Sequence, residues 1–110
     1  MAQLGCVNTS LQRLDPVLVF RALGHAGRLQ IVDALSRRDH CVQELVELVG
    51  SSWSTVSRHL AVLREAGVVR DERRGAHIHY SLALECVASF SACLHAAARG
   101  QRVQLRTCCK

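Results

Sequence analysis

Cys108-Cys109-Lys110 places two thiols side by side, and a third, Cys93, lies fifteen residues before them on a stretch with helical character. Adjacent cysteines do not readily close a disulfide on each other, because the ring through one peptide bond is strained. They can share one soft ion, since thiolate selects thiophilic metals. A vicinal pair of this kind fits a chemical sensor. Cysteines near a terminus are also tolerated simply because nothing packs there. The sensor reading is preferred because the rest of the chain supplies something to control.

A chain of 110 residues with 49% hydrophobic content forms one domain with a small core, and suits a protomer of an obligate dimer. The expected organisation is a core over residues 10–99 and a cysteine-containing tail over 100–110. Fourteen Lys and Arg against nine Asp and Glu give a formal charge of +5, which favours a polyanionic partner. Lys110 is the only lysine, so the positive charge is almost all arginine, the side chain suited to bidentate contact with phosphate and guanine. Six cysteines invite a disulfide framework, but Met1 to Ser10 has neither a basic start nor a long apolar run. The expectation is a cytoplasmic protein with reduced thiols and no membrane-spanning helix.

The elements that must position these groups follow from periodicity. Leu11 to Leu23 is apolar at helical spacing, with Asp15 as a cap before Pro16 and Gly24 as the stop. A second helix covers Ala26 to Ser36 and turns Leu29, Ile31, Val32 and Leu35 inward. A third covers Val42 to Val49 with Leu45, Val46 and Leu48 buried, and Gly50-Ser51-Ser52 breaks it. Trp53 to Ala66 is a longer helix stopped by Gly67. Its apolar stripe is Val56, Leu60 and Leu63, and its other face carries Ser54, Thr55, Ser57, Arg58 and His59. Beyond it the period becomes two: Val68 to Glu72 pairs with the strand of Ile78, Tyr80 and Leu82 across a turn at Arg73-Arg74-Gly75-Ala76. Leu84 to Ala98 is a final helix, apolar most of the way round, whose burial calls for a second subunit. The expected fold is mainly α with a small β hairpin: four helices, the hairpin, then a fifth helix.

Short helix, turn, longer helix, glycine and basic hairpin, in that order, are the plan of a winged helix-turn-helix. Hydroxyls at Ser52, Ser54, Thr55 and Ser57 can contact phosphates or base edges without bulk, His59 shares their face, and Arg58 can reach a guanine edge or a phosphate. Arg73 and Arg74 can lie along the DNA backbone or in the minor groove. A serine-rich face can also be merely solvated, but the co-occurrence of all these parts favours DNA reading.

Ala22-Leu23-Gly24-His25-Ala26-Gly27-Arg28-Leu29-Gln30-Ile31 resembles the entry motif of the ArsR/SmtB family of repressors, and the run from Ser54 to Val69 resembles that family's recognition helix. The match covers about Phe20 to Leu82. The resemblance implies a homodimer joined through its first and last helices. It would bind double-stranded operator DNA, control metal, metalloid or redox-defence genes, and leave DNA when an inducer binds.

The family's sensor sites can be tested on these residues. Its arsenic and cadmium site near the third helix reads Cys-Val-Cys, whereas here Cys41-Val42-Gln43 lacks one thiol, leaving His40 and Cys41 with a group such as Cys6. Its zinc site on the last helix finds Glu85 and His95 but no matching second pair, and His77 and His79 lie on the wing. Cys93, Cys108 and Cys109 remain, and three thiolates in a pyramid suit arsenite or antimonite, whose lone pair fills the fourth direction. About ten flexible residues after Gly100 span roughly 16–19 Å, enough for the tail to fold back within one subunit or across a dimer. Cys86 falls near the face of Cys93 and reads as a core residue. The alternative is a redox or persulfide sensor that links Cys41 and Cys93. No nucleophile, base and carboxylate pattern is present, so an enzyme is not expected.

Overall fold

The computed structural model describes residues 14–102. Cys108 and Cys109, two of the three expected metalloid ligands, lie outside the described residues, as does Cys6. The elements run α1 (Pro16–Leu23), α2 (Ala26–Leu35), β1 (His40–Cys41), α3 (Val42–Val49), α4 (Trp53–Glu65), β2 (Val69–Arg74), β3 (His77–Leu82) and α5 (Glu85–Ala98). This is a winged helix-turn-helix, as the order of periodic segments predicts.

The helix ends follow their local chemistry. Asp15 Oδ1 accepts from the Val17 N–H at 3.0 Å, with Pro16 in the first turn where its missing N–H costs nothing. Ser52 Oγ accepts from the Thr55 N–H at 3.2 Å and opens α4. Gly50 closes α3 in the left-handed region at φ 76°, donating its N–H to the Val46 carbonyl at 2.9 Å. Val56, Leu60 and Leu63 of α4 are fully buried against Ile31 and Val32 of α2, Leu45 of α3, and Val68. Spacing of i, i+4 and i+7 puts all three on one stripe, so α4 is held along most of its length by apolar contact.

The sheet departs from the expected hairpin in two ways. It has three antiparallel strands in the order β1-β3-β2, with His40 opposite Tyr80 and Cys41 opposite His79. A two-residue strand is too short to show a period, so sequence reading cannot find β1. The β2–β3 ladder also runs on to Arg74 opposite His77, so the turn is confined to Gly75 and Ala76, and Arg73 and Arg74 are strand residues. Leu48, expected in the core, is 55% exposed, because α3 turns only Leu45 fully inward. No helix among the described residues is long and apolar enough to cross a membrane.

Gly67 has φ 85°, and a Cβ built there would collide with Leu14. Gly75 has φ 63° with open space around it. Both alanine variants therefore carry a left-handed backbone cost of about 1–2 kcal/mol, and only Gly67→Ala adds a steric one. Urea unfolding should show G67A less stable than G75A by the packing Leu14 loses as it moves aside; equal losses would show that Leu14 adds no stability on the α4–β2 turn.

Candidate nucleic-acid interface

The outward face of α4 carries Ser54, Ser57 and Arg58, all exposed, with Thr55 half-buried at its flank. The first-turn hydroxyls are linked: Ser52 Oγ donates to Thr55 Oγ1 at 3.0 Å and lies 3.3 Å from Ser54 Oγ. Ser57 and Arg58 lie one turn further along. A rigid helix with small polar groups and one arginine outward can enter the major groove. The chain from Gly50 to Arg64 contains no acidic residue, and Glu65, exposed at the end of α4, is the helix's one acid.

His59 corrects the sequence reading. Expected on this outward face, it is buried and turned toward the junction of α1 and α2. Its ring lies 4.5 Å from that of His25, tilted by 50°. Arg28 Nη1 stands 3.5 Å from His59 Nδ1, while Arg28 Nε donates to the Ala22 carbonyl at 2.6 Å and Nη2 to the Arg21 carbonyl at 3.4 Å. Arginine has no acceptor, so its contact requires a neutral His59 with a lone pair on Nδ1. His25 is fixed in turn by accepting the Gly27 N–H on Nδ1 at 3.0 Å. Gly27 is small because a Cβ there would meet His59 Nε2 at 3.0 Å. The motif around His25 and Arg28 thus ties the end of α1 to the middle of α4. Desolvation lowers the pKa of His59, and the charges of His25, Arg28 and Arg58 act in the same direction.

The two hairpin arginines differ. Arg74 Nη2 pairs with Asp39 and Glu72 at 3.0 and 3.1 Å, and these hydrogen bonds raise its pKa. In the absence of DNA it braces the wing against the chain leading into β1 through surface pairs. Arg73 is exposed, and among the described residues it has no ion-pair partner.

Residues 25–71 match the sequence profile of the bacterial regulatory protein, arsR family. The chain is 46% identical over 71 residues to the HTH-type transcriptional regulator KmtR of Mycobacterium tuberculosis, covering 64% of this chain and 55% of that one. It is 40% identical over 70 residues to the arsenical resistance operon repressor of Escherichia coli, covering 63% of this chain and 60% of that one. The matched segment therefore spans little more than half the length of either regulator. The homodimeric winged helix-turn-helix domain Mb0332 of Mycobacterium bovis, a possible ArsR-family regulator, superposes with a TM-score of 0.70 at 31% identity, covering 76% of this chain and 78% of that one. The chain belongs to the ArsR/SmtB family.

Against the thiol sites of ArsR/SmtB proteins, the remaining candidates are dispersed. Cys41 begins α3, and Glu44 reaches back to its N–H at 3.2 Å. Glu44 also bonds His40 Nδ1 at 3.1 Å, so the buried His40 is committed to structure. The Cys41 N–H foremost, then His40 and Arg38, holds the Glu44 carboxyl below its ordinary range. Gln43 is exposed beside them. His95 Nε2 lies 2.9 Å from Asp33 Oδ2, and Ser91 Oγ donates to Asp33 Oδ1 at 2.8 Å, so His95 ties α5 to α2. Glu85 is exposed in the first turn of α5, and His77 is exposed on the wing with His79 half-buried. Cys93 is half-buried on α5. Among the described residues, no three His, Cys, Asp or Glu side chains are gathered to hold a metal.

The pH response of the His59 contact follows from its direction of shift. In the unfolded chain His59 takes up a proton near its ordinary pKa of 6.5, and in the folded chain only at lower pH. Its contribution is complete above about pH 6.5 and is lost as pH falls toward the folded value. Denaturant midpoints at pH 7.5 and 5.5 should fall further for the wild type than for His59→Gln; equal falls would remove His59 from the account.

Proposed function

We propose that this chain is a homodimeric operator-binding repressor, released when trivalent arsenic or antimony is bound by Cys93, Cys108 and Cys109. The observation that carries the DNA-binding half is the outward face of α4, polar and free of acid until its last residue, Glu65, and seated by its apolar stripe and by Arg28 and His59. The dimer reading rests on α1 and α5. Val17, Leu18, Phe20, Phe90 and Leu94 are all exposed on these two helices. Phe20 and Phe90 meet edge to face at 5.9 Å and join the helices into one apolar surface. Large contiguous apolar patches mark association surfaces, and a two-fold dimer formed through this one would read two half-sites, which such dimers place about one DNA turn apart.

The inducer reading rests on ligand chemistry and on the kinship to an arsenical resistance repressor. Arsenous acid and three thiols give the trithiolate and three waters, with no change of oxidation state. Cys93 is half-buried on α5, on the side of the helix away from Ser91 and His95, which hold Asp33. A ligand that draws the tail onto Cys93 would therefore act on the helix that sets the dimer geometry. If it favours a geometry mismatched to DNA, it must weaken operator binding by the factor by which DNA weakens it, typically about 1–3 kcal/mol.

On an operator duplex selected from random sequence, Arg58→Ala should cost about 1–3 kcal/mol of specific binding, against a uniform loss and a salt slope reduced by about 1 for Arg73→Ala. Unchanged operator affinity for R58A would show that α4 does not read DNA. Under full reduction, arsenite should release the wild type but not a Cys108→Ser, Cys109→Ser double variant. Release of the double variant by arsenite would remove the tail thiols. Release only by oxidant or persulfide would favour the disulfide-forming reading through Cys41 and Cys93.

A further inference from the structure

Trp53 is the only tryptophan in the chain, and it stands 55% exposed at the first position of α4. Among the described residues its ring has no aromatic partner and its indole N–H no hydrogen bond. A large amphipathic ring left in water at this position is unexplained by folding, since Val56, Leu60 and Leu63 already seat the helix. Side chains on a helix lean toward its N-terminus, so a ring at the first position projects past the first turn. On a helical wheel Trp53 is within about 40° of Ser57, which borders the outward polar face, and the next exposed apolar residue upstream is Leu48 on α3. From Gly50 to Arg64 the chain carries two arginines and no acid, with Glu65 beyond them at the far end of the helix, which suits the polyanionic backbone of duplex DNA beside Trp53 and disfavours an apolar protein surface.

We infer that Trp53 is a specificity-determining residue for operator DNA, its ring packing on a thymine methyl group at the edge of each half-site. The inference rests on the DNA-binding reading above. The C5-methyl of thymine is the one apolar group that a base pair presents in the major groove, and aromatic and apolar side chains are its natural partners. A tryptophan supplies that contact at low entropic cost, with only two rotatable bonds, and its N–H remains available to a neighbouring phosphate.

The test uses the full chain, an operator duplex selected from random sequence, and a set of duplexes in which each thymine in turn is replaced by deoxyuridine, which lacks only the methyl. Trp53 emission in the wild type should shift on titration and saturate with the binding isotherm. One deoxyuridine position in each half-site should weaken wild-type binding about tenfold. Trp53→Ala should bind the parent duplex about tenfold more weakly and be indifferent to that position, while Trp53→Phe keeps the thymine preference. Two results would overturn the inference: W53A binding the parent duplex like the wild type, or W53A weakened equally on every duplex, the mark of a purely structural role. If wild type binds no duplex specifically, the repressor reading fails first and takes this inference with it; specific binding with unchanged Trp53 emission overturns the inference alone.

Discussion

Arg28 ties the end of α1 to the middle of α4, bonding the Ala22 carbonyl at 2.6 Å and facing the buried His59. A helix that reads DNA must present its face at a fixed angle to the axis that relates it to a second copy. Hydrophobic packing fixes that angle only loosely, because a smooth stripe such as Val56, Leu60 and Leu63 tolerates some rotation. Arg28 removes that freedom by bonding two carbonyls at the end of α1 and facing His59 in the middle of α4. Its geometry is directional where the core is not. The histidine must remain neutral to take part, and its burial keeps it so.

The order of elements and the recognition helix were legible because each rests on a local signal. Asp15-Pro16, Ser52 and the glycines at 50 and 67 are read from their own chemistry, and the buried stripe of α4 from its spacing. Failures occurred where a tertiary contact overrode a local rule. His59 is polar and sits two residues after Ser57, so a face assignment by polarity sends it outward. Only the partner at Arg28, thirty-one residues away, makes burial affordable. The signal was nonetheless present: Gly27 lies in a helix where glycine costs about 1 kcal/mol relative to alanine, which asks for a close approach by something. His59 is that something. The ion pair of Arg74 with Asp39 was likewise invisible, because the two lie thirty-five residues apart in sequence.

The thiols show the opposite limit. Their chemistry is written in residue type, but a ligand set is a matter of position. Of the cysteines expected to act together, only Cys93 lies among the described residues, half-buried on α5. Cys41, the thiol shared with the family's third-helix motif, sits at a helix start where Glu44 and His40 are occupied with each other. Glu44 is also within 3.5 Å of Arg38, so a metal there would compete with three existing contacts.

α2 is ten residues long and carries a polar tie at each end. Near its start, Gly27 and Arg28 meet His59 of α4; near its end, Asp33 accepts from Ser91 and bonds His95 of α5. Between them Ile31 and Val32 are fully buried, so the helix cannot flex without disturbing the core. A displacement of α5 that keeps the Asp33 contacts must therefore move α2 as a body, and with it the group that sets the angle of α4. A displacement that breaks those contacts leaves a carboxylate, partly shielded from water, without its hydrogen-bond donors. α2 thus joins α5, with its share of the exposed apolar surface, to the middle of α4 through a polar tie near each end. Gly27 and Arg28, in the segment that resembles the family's entry motif, meet the buried His59 and so help to seat α4.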